Sequence, residues 1–174
     1  TTLFRSHPKG SKKLIGAWAL YDWANSVYSL VISSAIFPIY YSQYVFSQTN
    51  SVEILNLDIN KDTLISSVSA ISFLLIAFLS PLLSGIADFI GNKKIFMKFF
   101  VYMGSLSCIG LYWFELETIE ISLLFYTLGL IGFWGSLVYY NSYLTDITYP
   151  NQTNKVSAKG YTMGYVGSVI LLRS

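Results

Sequence analysis

Two carboxylates lie in or beside apolar sequence, where a charge needs a reason. The first is Asp22, inside LIGAWALYDWANSVYSLVISSAIFPIYY at residues 14–41. From it the polar residues Asn25, Ser26, Ser29, Ser33 and Tyr40 recur at helical spacing, so on an α-helix they share one face while Val27, Leu30, Val31 and Ile32 fill the rest. Unpaired polar groups facing hydrocarbon cost about 2–7 kcal/mol each, so such a stripe must face other helices or water. Two readings follow. The stripe lines a solvated substrate or ion path, or Asp22 simply reaches interfacial water or a lysine from within an aromatic belt of Trp18, Tyr21 and Trp23.

The second carboxylate is Asp88, in SPLLSGIADFIGNKKIF at residues 80–96, where Gly85, Asp88 and Gly91 surround a tight turn followed by Lys93 and Lys94. A carboxylate at a helix end beside a short basic loop can bridge to a cation or a neighbouring helix terminus, and the glycines permit close backbone approach. Such a contact latches one side of a helix bundle. Further on, Trp134, Leu137 and Asn141 stack on one face. Asn141 either joins the path or makes interhelical hydrogen bonds, worth on average about 0.6 kcal/mol in membranes. Gly160, Gly164 and Gly167 with Ser168 have the spacing that lets helices pack closely. Asp22 and Asp88 have no His or Cys nearby, and the sequence offers no metal cluster, nucleophile triad or phosphate loop. No cofactor is expected, and no enzyme activity.

The elements that position these residues are apolar and long. The chain has 174 residues, 53% of them hydrophobic and 11% charged, against roughly 25% charged in a soluble domain. That deficit runs along the whole chain and points to lipid. A net charge of +2 gives no footprint for nucleic acid, and the single Cys108 has no partner for a disulfide. Unbroken apolar runs at about 14–44, 64–88, 95–114 and 119–144 are each long enough to span a membrane as a helix, and a fifth begins near Gly160 and runs to 174. The expected fold class is therefore an all-α membrane protein, with four full transmembrane helices and part of a fifth. Residues 1–13 form a basic tail and residues 14–174 a partial bundle with short loops and antiparallel neighbours. The first residue is not Met and the last apolar segment is short, which reads as a piece of a longer chain.

Basic residues set the orientation. Arg5, Lys9, Lys12 and Lys13, then Lys93, Lys94 and Lys98, then Lys155 and Lys159 all fall on one side of the predicted bundle. The alternate loops carry Glu53, Asp58 and Asp62, then Glu115, Glu117 and Glu120, with only Lys61 in balance. By the positive-inside rule the N-terminus is cytoplasmic, and the NQT triplet at 151–153 is not a glycosylation site. His7 lies in the solvated tail.

The segment around Asp88 resembles the loop between helices 2 and 3 of the major facilitator superfamily at Asp88, Gly91, Lys93 and Lys94, with Ser84 and Phe89 departing from that pattern. Together with AWALYDWANSVY, YYNSYLTDI and KVSAKGYTMGYVGS in that order, the chain resembles the vacuole effluxer-like branch of that superfamily over nearly its whole length. The resemblance implies the N-terminal part of a two-half, alternating-access transporter whose C-terminal half lies elsewhere in the same protein. It assigns Gly85, Asp88, Gly91, Lys93 and Lys94 to a cytoplasmic gate. It implies a small polar solute, with amino-acid efflux the branch's own example and a proton gradient a candidate driving force. The helix 4 arginine that some proton-coupled members use has no counterpart in LGLIGFWGSLVYYNSYL. Membrane lipid is the other expected partner, in the inner membrane of a bacterium or the vacuolar membrane of a fungus. The competing class is a small helical membrane protein that transports nothing and acts by assembling with partners.

Overall fold

The computed structural model describes residues 8–54 and 56–173, so Arg5 and His7 lie outside the described residues. Helix α1 (Lys12–Val27) is started by Ser11, whose Oγ accepts a hydrogen bond from the Leu14 N–H at 3.4 Å, an N-cap that satisfies one of the free amides of the first turn. Its helical path then continues through π-helical turns at Tyr28–Ile36, a short α2 (Phe37–Tyr40) and a second π stretch at Tyr41–Val45. The wider π turn shows in the hydrogen bonds. Ser34 Oγ donates to the Ser29 carbonyl at 2.6 Å and the Phe46 N–H to the Tyr41 carbonyl at 3.1 Å, both reaching back five residues.

The polar stretch expected as a loop holds a hairpin, β1 (Ser51–Ile54) paired antiparallel with β2 (Leu57–Asn60), in register Ser51 with Asn60 and Ile54 with Leu57. Asn56 at its turn has φ 62°, a left-handed conformation that asparagine adopts more readily than most residues. These two strands are the departure, among the described residues, from an all-helical chain.

Helix α3 (Lys61–Ile90) opens on Asn60, whose side chain accepts from the Asp62 N–H at 2.9 Å. It continues through Pro81 and ends at Gly91, whose φ of 69° lets its N–H return to the carbonyls of Ala87 and Asp88. Helix α4 (Lys93–Gly110) follows at once, with a 3-10 turn at Leu111–Trp113. Helix α5 (Ile119–Ile147) and helix α6 (Thr153–Arg173) complete the order. The last helix therefore begins seven residues before the expected Gly160 and takes Lys155 and Lys159 into its first turns.

Among the described residues three helical segments are long and apolar enough to cross a membrane, namely Lys61–Ile90, Lys93–Trp113 and Ile119–Ile147. The expected first span is not among them. Its α-helical part stops after 16 residues, where the π turns begin. Outward side chains on α3 and α4, such as Phe73, Phe78, Leu82, Phe99 and Leu106, are apolar and exposed, the surface a lipid-facing helix requires.

The chain forms two compact units. One contains residues 37–137. Its core is aromatic: Phe37 stacks on Tyr126 with ring centroids 4.4 Å apart and meets Phe114 edge-on at 5.3 Å. Tyr40 and Tyr41 direct their hydroxyls to the carbonyls of Phe114 and Lys61 at 3.0 and 2.7 Å, which ties the helical run to the loops at its end. Glycine lets α4 and α5 approach closely, and the Phe100 ring packs over Gly135. The other unit contains residues 1–36 and 138–174. In it α6 lies along α1, and the Gly10 N–H donates to the Ile147 carbonyl at 2.7 Å, which anchors the start of α1 on the end of α5.

Candidate functional site

The polar centre of the unit formed by residues 1–36 and 138–174 is Asp22. Its side chain is buried, with 7% of the residue exposed. One helical turn earlier, Trp18 is also buried. Its ring stacks on Tyr140 of α5 at 4.3 Å, and its Nε1–H donates to the Tyr140 carbonyl at 3.1 Å. Tyr21 approaches the same ring from the side at 5.1 Å. Tyr140 is thereby fixed with its hydroxyl buried beside the Asp22 carboxylate. Asn25 adds a buried Nδ2 without a hydrogen-bond partner.

Helix α6 closes this centre with its glycines. A Cβ on Gly160 would stand 2.6 Å from the Trp18 ring and 3.1 Å from the Tyr140 hydroxyl. At Gly164 it would collide with Ser26 Oγ and stand 3.1 Å from Asp22 Oδ2, and at Gly167 it would collide with the Trp23 indole. Each glycine thus meets a named side chain of α1, and only a residue without a Cβ fits there. The result is a buried, tightly packed carboxylate flanked by hydroxyls. Among the described residues it forms no ion pair.

The structure brings Asp22, Asn25 and Ser26 together with Tyr140, Gly160, Gly164 and Gly167. It does not extend that group along the whole expected stripe. Ser29 donates to the Ser26 carbonyl of its own helix at 3.2 Å, and Ser33 is half-buried in the π stretch. Tyr40 belongs to the unit of residues 37–137 and bonds Phe114 there. The physical reason is the π-helix: each such turn takes in an extra residue, so a face counted at α-helical spacing drifts between Asp22 and Tyr40. Asn141 is exposed, carried off the Tyr140 side by one helical step. Trp18 is buried rather than part of a lipid-facing belt. Sequence gives no sign of its pairing with Tyr140, because a contact across 122 positions leaves no periodic trace.

The second candidate site, in the other unit, is the turn from α3 to α4. Lys93 Nζ lies 3.4 Å from Asp88 Oδ1, with the carboxylate side chain 60% exposed and the lysine 24%. Gly91 makes the turn. Gly85 is exposed with open space where a Cβ would stand, and Lys94 is half-buried. The pair is a surface contact in water, which can form and break at little energetic cost.

The family described as vacuole effluxer Atg22 like matches residues 10–151, which include both sites apart from α6. The chain belongs to that family. It is also similar to the uncharacterized MFS-type transporter YxiO of Bacillus subtilis (strain 168), at 40% identity over 154 residues. That similarity covers 88% of this chain and 35% of the relative, so the chain spans about a third of the relative's length. No solved structure matches it. With three helices among its described residues long and apolar enough to cross a bilayer, this member of the family is an integral membrane protein.

Proposed function

We propose that the chain forms part of the N-terminal half of a secondary active transporter that moves a small polar solute by alternating access. The observation that carries the reading is the family match over residues 10–151, supported by a relative named as an MFS-type transporter. The local chemistry fits it. A carboxylate buried between the helices of a membrane protein is expensive, and ionisable groups so placed mark substrate or ion pathways. Asp22, Asn25 and Ser26, with Tyr140, are assigned to that pathway. The Asp88–Lys93 pair, with Gly85, Gly91 and Lys94, is assigned to a cytoplasmic gate, an orientation that the positive-inside rule supports.

Amino acids are the first solute class to test, and the protein is proposed to be a carrier with no enzymatic step. The reading of a small assembly protein is less favoured, since the relative is named as a transporter. The test uses the full-length protein in liposomes, with uptake of labelled amino acids and other small polar solutes followed with and without an imposed proton gradient. Flux of at least one solute above protein-free liposomes is expected. Absence of flux for the whole panel overturns the proposal. Asp22→Asn is expected to reduce transport far more than it reduces the amount of folded protein.

A further inference from the structure

Five exposed lysines come together on the unit of residues 1–36 and 138–174, although they lie far apart in the chain. Packing does this. Gly10 lies against Gln152 and the Tyr149 ring, Trp18 against Gly160 and Asp22 against Gly164, so α1 and α6 run parallel with their numbering rising together. The hydrogen bond from the Gly10 N–H to the Ile147 carbonyl fixes the level at which both helices begin, Lys12 on one and Thr153 on the other. Lys9, Lys12 and Lys13 therefore share one end of the helix pair with Lys155 and Lys159.

Lysines in the first turn of a helix work against its macrodipole, so this end is not arranged for helix stability. Its charge is uneven. The acids among the described residues of this unit are the buried Asp22 and Asp146, an exposed carboxylate beside Tyr143. What lies next to the lysines says which anion they meet. Along α6 the exposed side chains pass from Lys155 and Lys159 to Tyr161 and Tyr165, then to Val166, Val169 and Ile170, and along α1 from Lys12 and Lys13 to Leu20. Charge, then aromatic hydroxyl, then hydrocarbon is the order met on passing from the headgroups of a bilayer to its acyl chains.

We propose that this end of the α1–α6 pair binds the headgroup of an anionic phospholipid, with the lysine ammonium groups on its phosphate and Tyr161 and Tyr165 against the upper part of its acyl chains. The positive-inside rule supports the cytoplasmic leaflet as the setting, where juxtamembrane lysines are drawn to anionic lipid. Binding of this kind does not depend on the transport reading above.

The test is fluorescence anisotropy of a fluorescent phosphatidylglycerol mixed with the full-length protein in a non-ionic detergent. Unlabelled phosphatidylglycerol should displace the probe at least about fivefold more effectively than phosphatidylcholine, the effect expected of a single lysine beside an anionic surface. Lys9→Gln, Lys12→Gln, Lys13→Gln, Lys155→Gln and Lys159→Gln made together should weaken probe binding by at least that factor. Arginine at the same five positions should keep the binding, and Lys61→Gln at the start of α3 should leave it unchanged. Should the glutamine variant fail to fold, wild type in about 1 M salt, where charges are screened beyond roughly 3 Å, should lose the preference for the anionic lipid. Equal displacement by phosphatidylcholine overturns the proposal, as does a preference that salt leaves intact. Wild-type binding by the glutamine variant also overturns it, and is the result that pairing of these lysines with acids elsewhere in the protein would give. Displacement of the probe by inorganic phosphate as effectively as by phosphatidylglycerol overturns it in favour of a site for the free anion.

Discussion

Gly132 of α5 lies directly against Gly104 of α4, so that a Cβ on Gly132 would stand 2.6 Å from the Gly104 Cα and 2.8 Å from the Phe100 carbonyl oxygen. The relation is not symmetric. A Cβ on Gly104 would find its nearest neighbours at 3.5 Å, an ordinary contact. Gly132→Ala therefore forces two backbones apart and should destabilise the full-length protein by about 1–3 kcal/mol. Gly104→Ala should be neutral or slightly stabilising, since alanine is the better helix former. Thermal unfolding of both variants in detergent checks the pair, and equal losses would show that the crossing is looser than described.

Trp18 and Gly160 form a second packing pair, close enough to test as a cycle. Removing the indole in Trp18→Ala should cost about 3–5 kcal/mol, the usual price of emptying a buried aromatic position. Trp18→Phe keeps a ring against Tyr140 but loses the Nε1–H donor, a loss of about 1 kcal/mol. Gly160→Ala should be destabilising alone, because the new methyl meets the Trp18 ring atoms Cζ3 and Cη2 at 2.6 and 3.1 Å. In a Trp18→Phe background those two atoms are gone, so the double variant should recover at least about 0.5 kcal/mol relative to the sum of the singles. Additive losses in the unfolding measurement would count against direct contact.

At the α3–α4 turn, backbone conformation and side-chain space make opposite demands on two glycines. Gly91 sits at φ 69° with nothing within 4 Å of a Cβ, so the objection to a side chain there is conformational. Gly91→Ala should lower stability by about 1 kcal/mol and Gly91→Asn by less, because asparagine tolerates the left-handed region. Gly85 has open space and a helical backbone, and Gly85→Ala should leave unfolding temperature unchanged or raise it. A common effect of the two substitutions would show that the turn is held by something other than backbone geometry.

Much of this organisation was legible in the sequence because membrane helices write themselves in apolar length. The segments at about 64–88 and 119–144 fall within the observed Lys61–Ile90 and Ile119–Ile147, and that at about 95–114 overlaps Lys93–Trp113 to within two residues at each end. The Asp88 turn was legible for a similar reason, since Asp, Gly and two lysines lie within seven residues of one another. The first segment was harder. Length and hydropathy do not distinguish α from π turns, so a stripe from Asp22 to Tyr40 at α-helical spacing assumes a helix the chain does not keep. Sequence does not pair Tyr140 with Trp18 and Asp22, because its neighbours are set by packing between distant helices. Small residues gave the partial signal: Gly160, Gly164 and Gly167 announced a close approach without saying to what.

Asp88 and Lys93 are far enough into water that their 3.4 Å contact contributes little to holding the fold, about 0–1 kcal/mol for such pairs. Any strong effect of removing it must therefore come from the balance between conformations. Asp88→Ala in the full-length protein should leave thermal stability within about 0.5 kcal/mol of wild type, as surface substitutions usually do. It should nevertheless raise the labelling of single cysteines on the cytoplasmic side, because the closed gate loses one of its contacts. Exchanging the two charges, with Asp88→Lys and Lys93→Asp together, should restore part of the wild-type labelling if attraction between the pair is what matters. If instead Asp88 reaches a group on another helix end, the exchange restores nothing. Labelling that Asp88→Ala leaves unchanged removes the gate assignment while leaving the Asp22 site untouched, since the two carboxylates belong to different units of the chain.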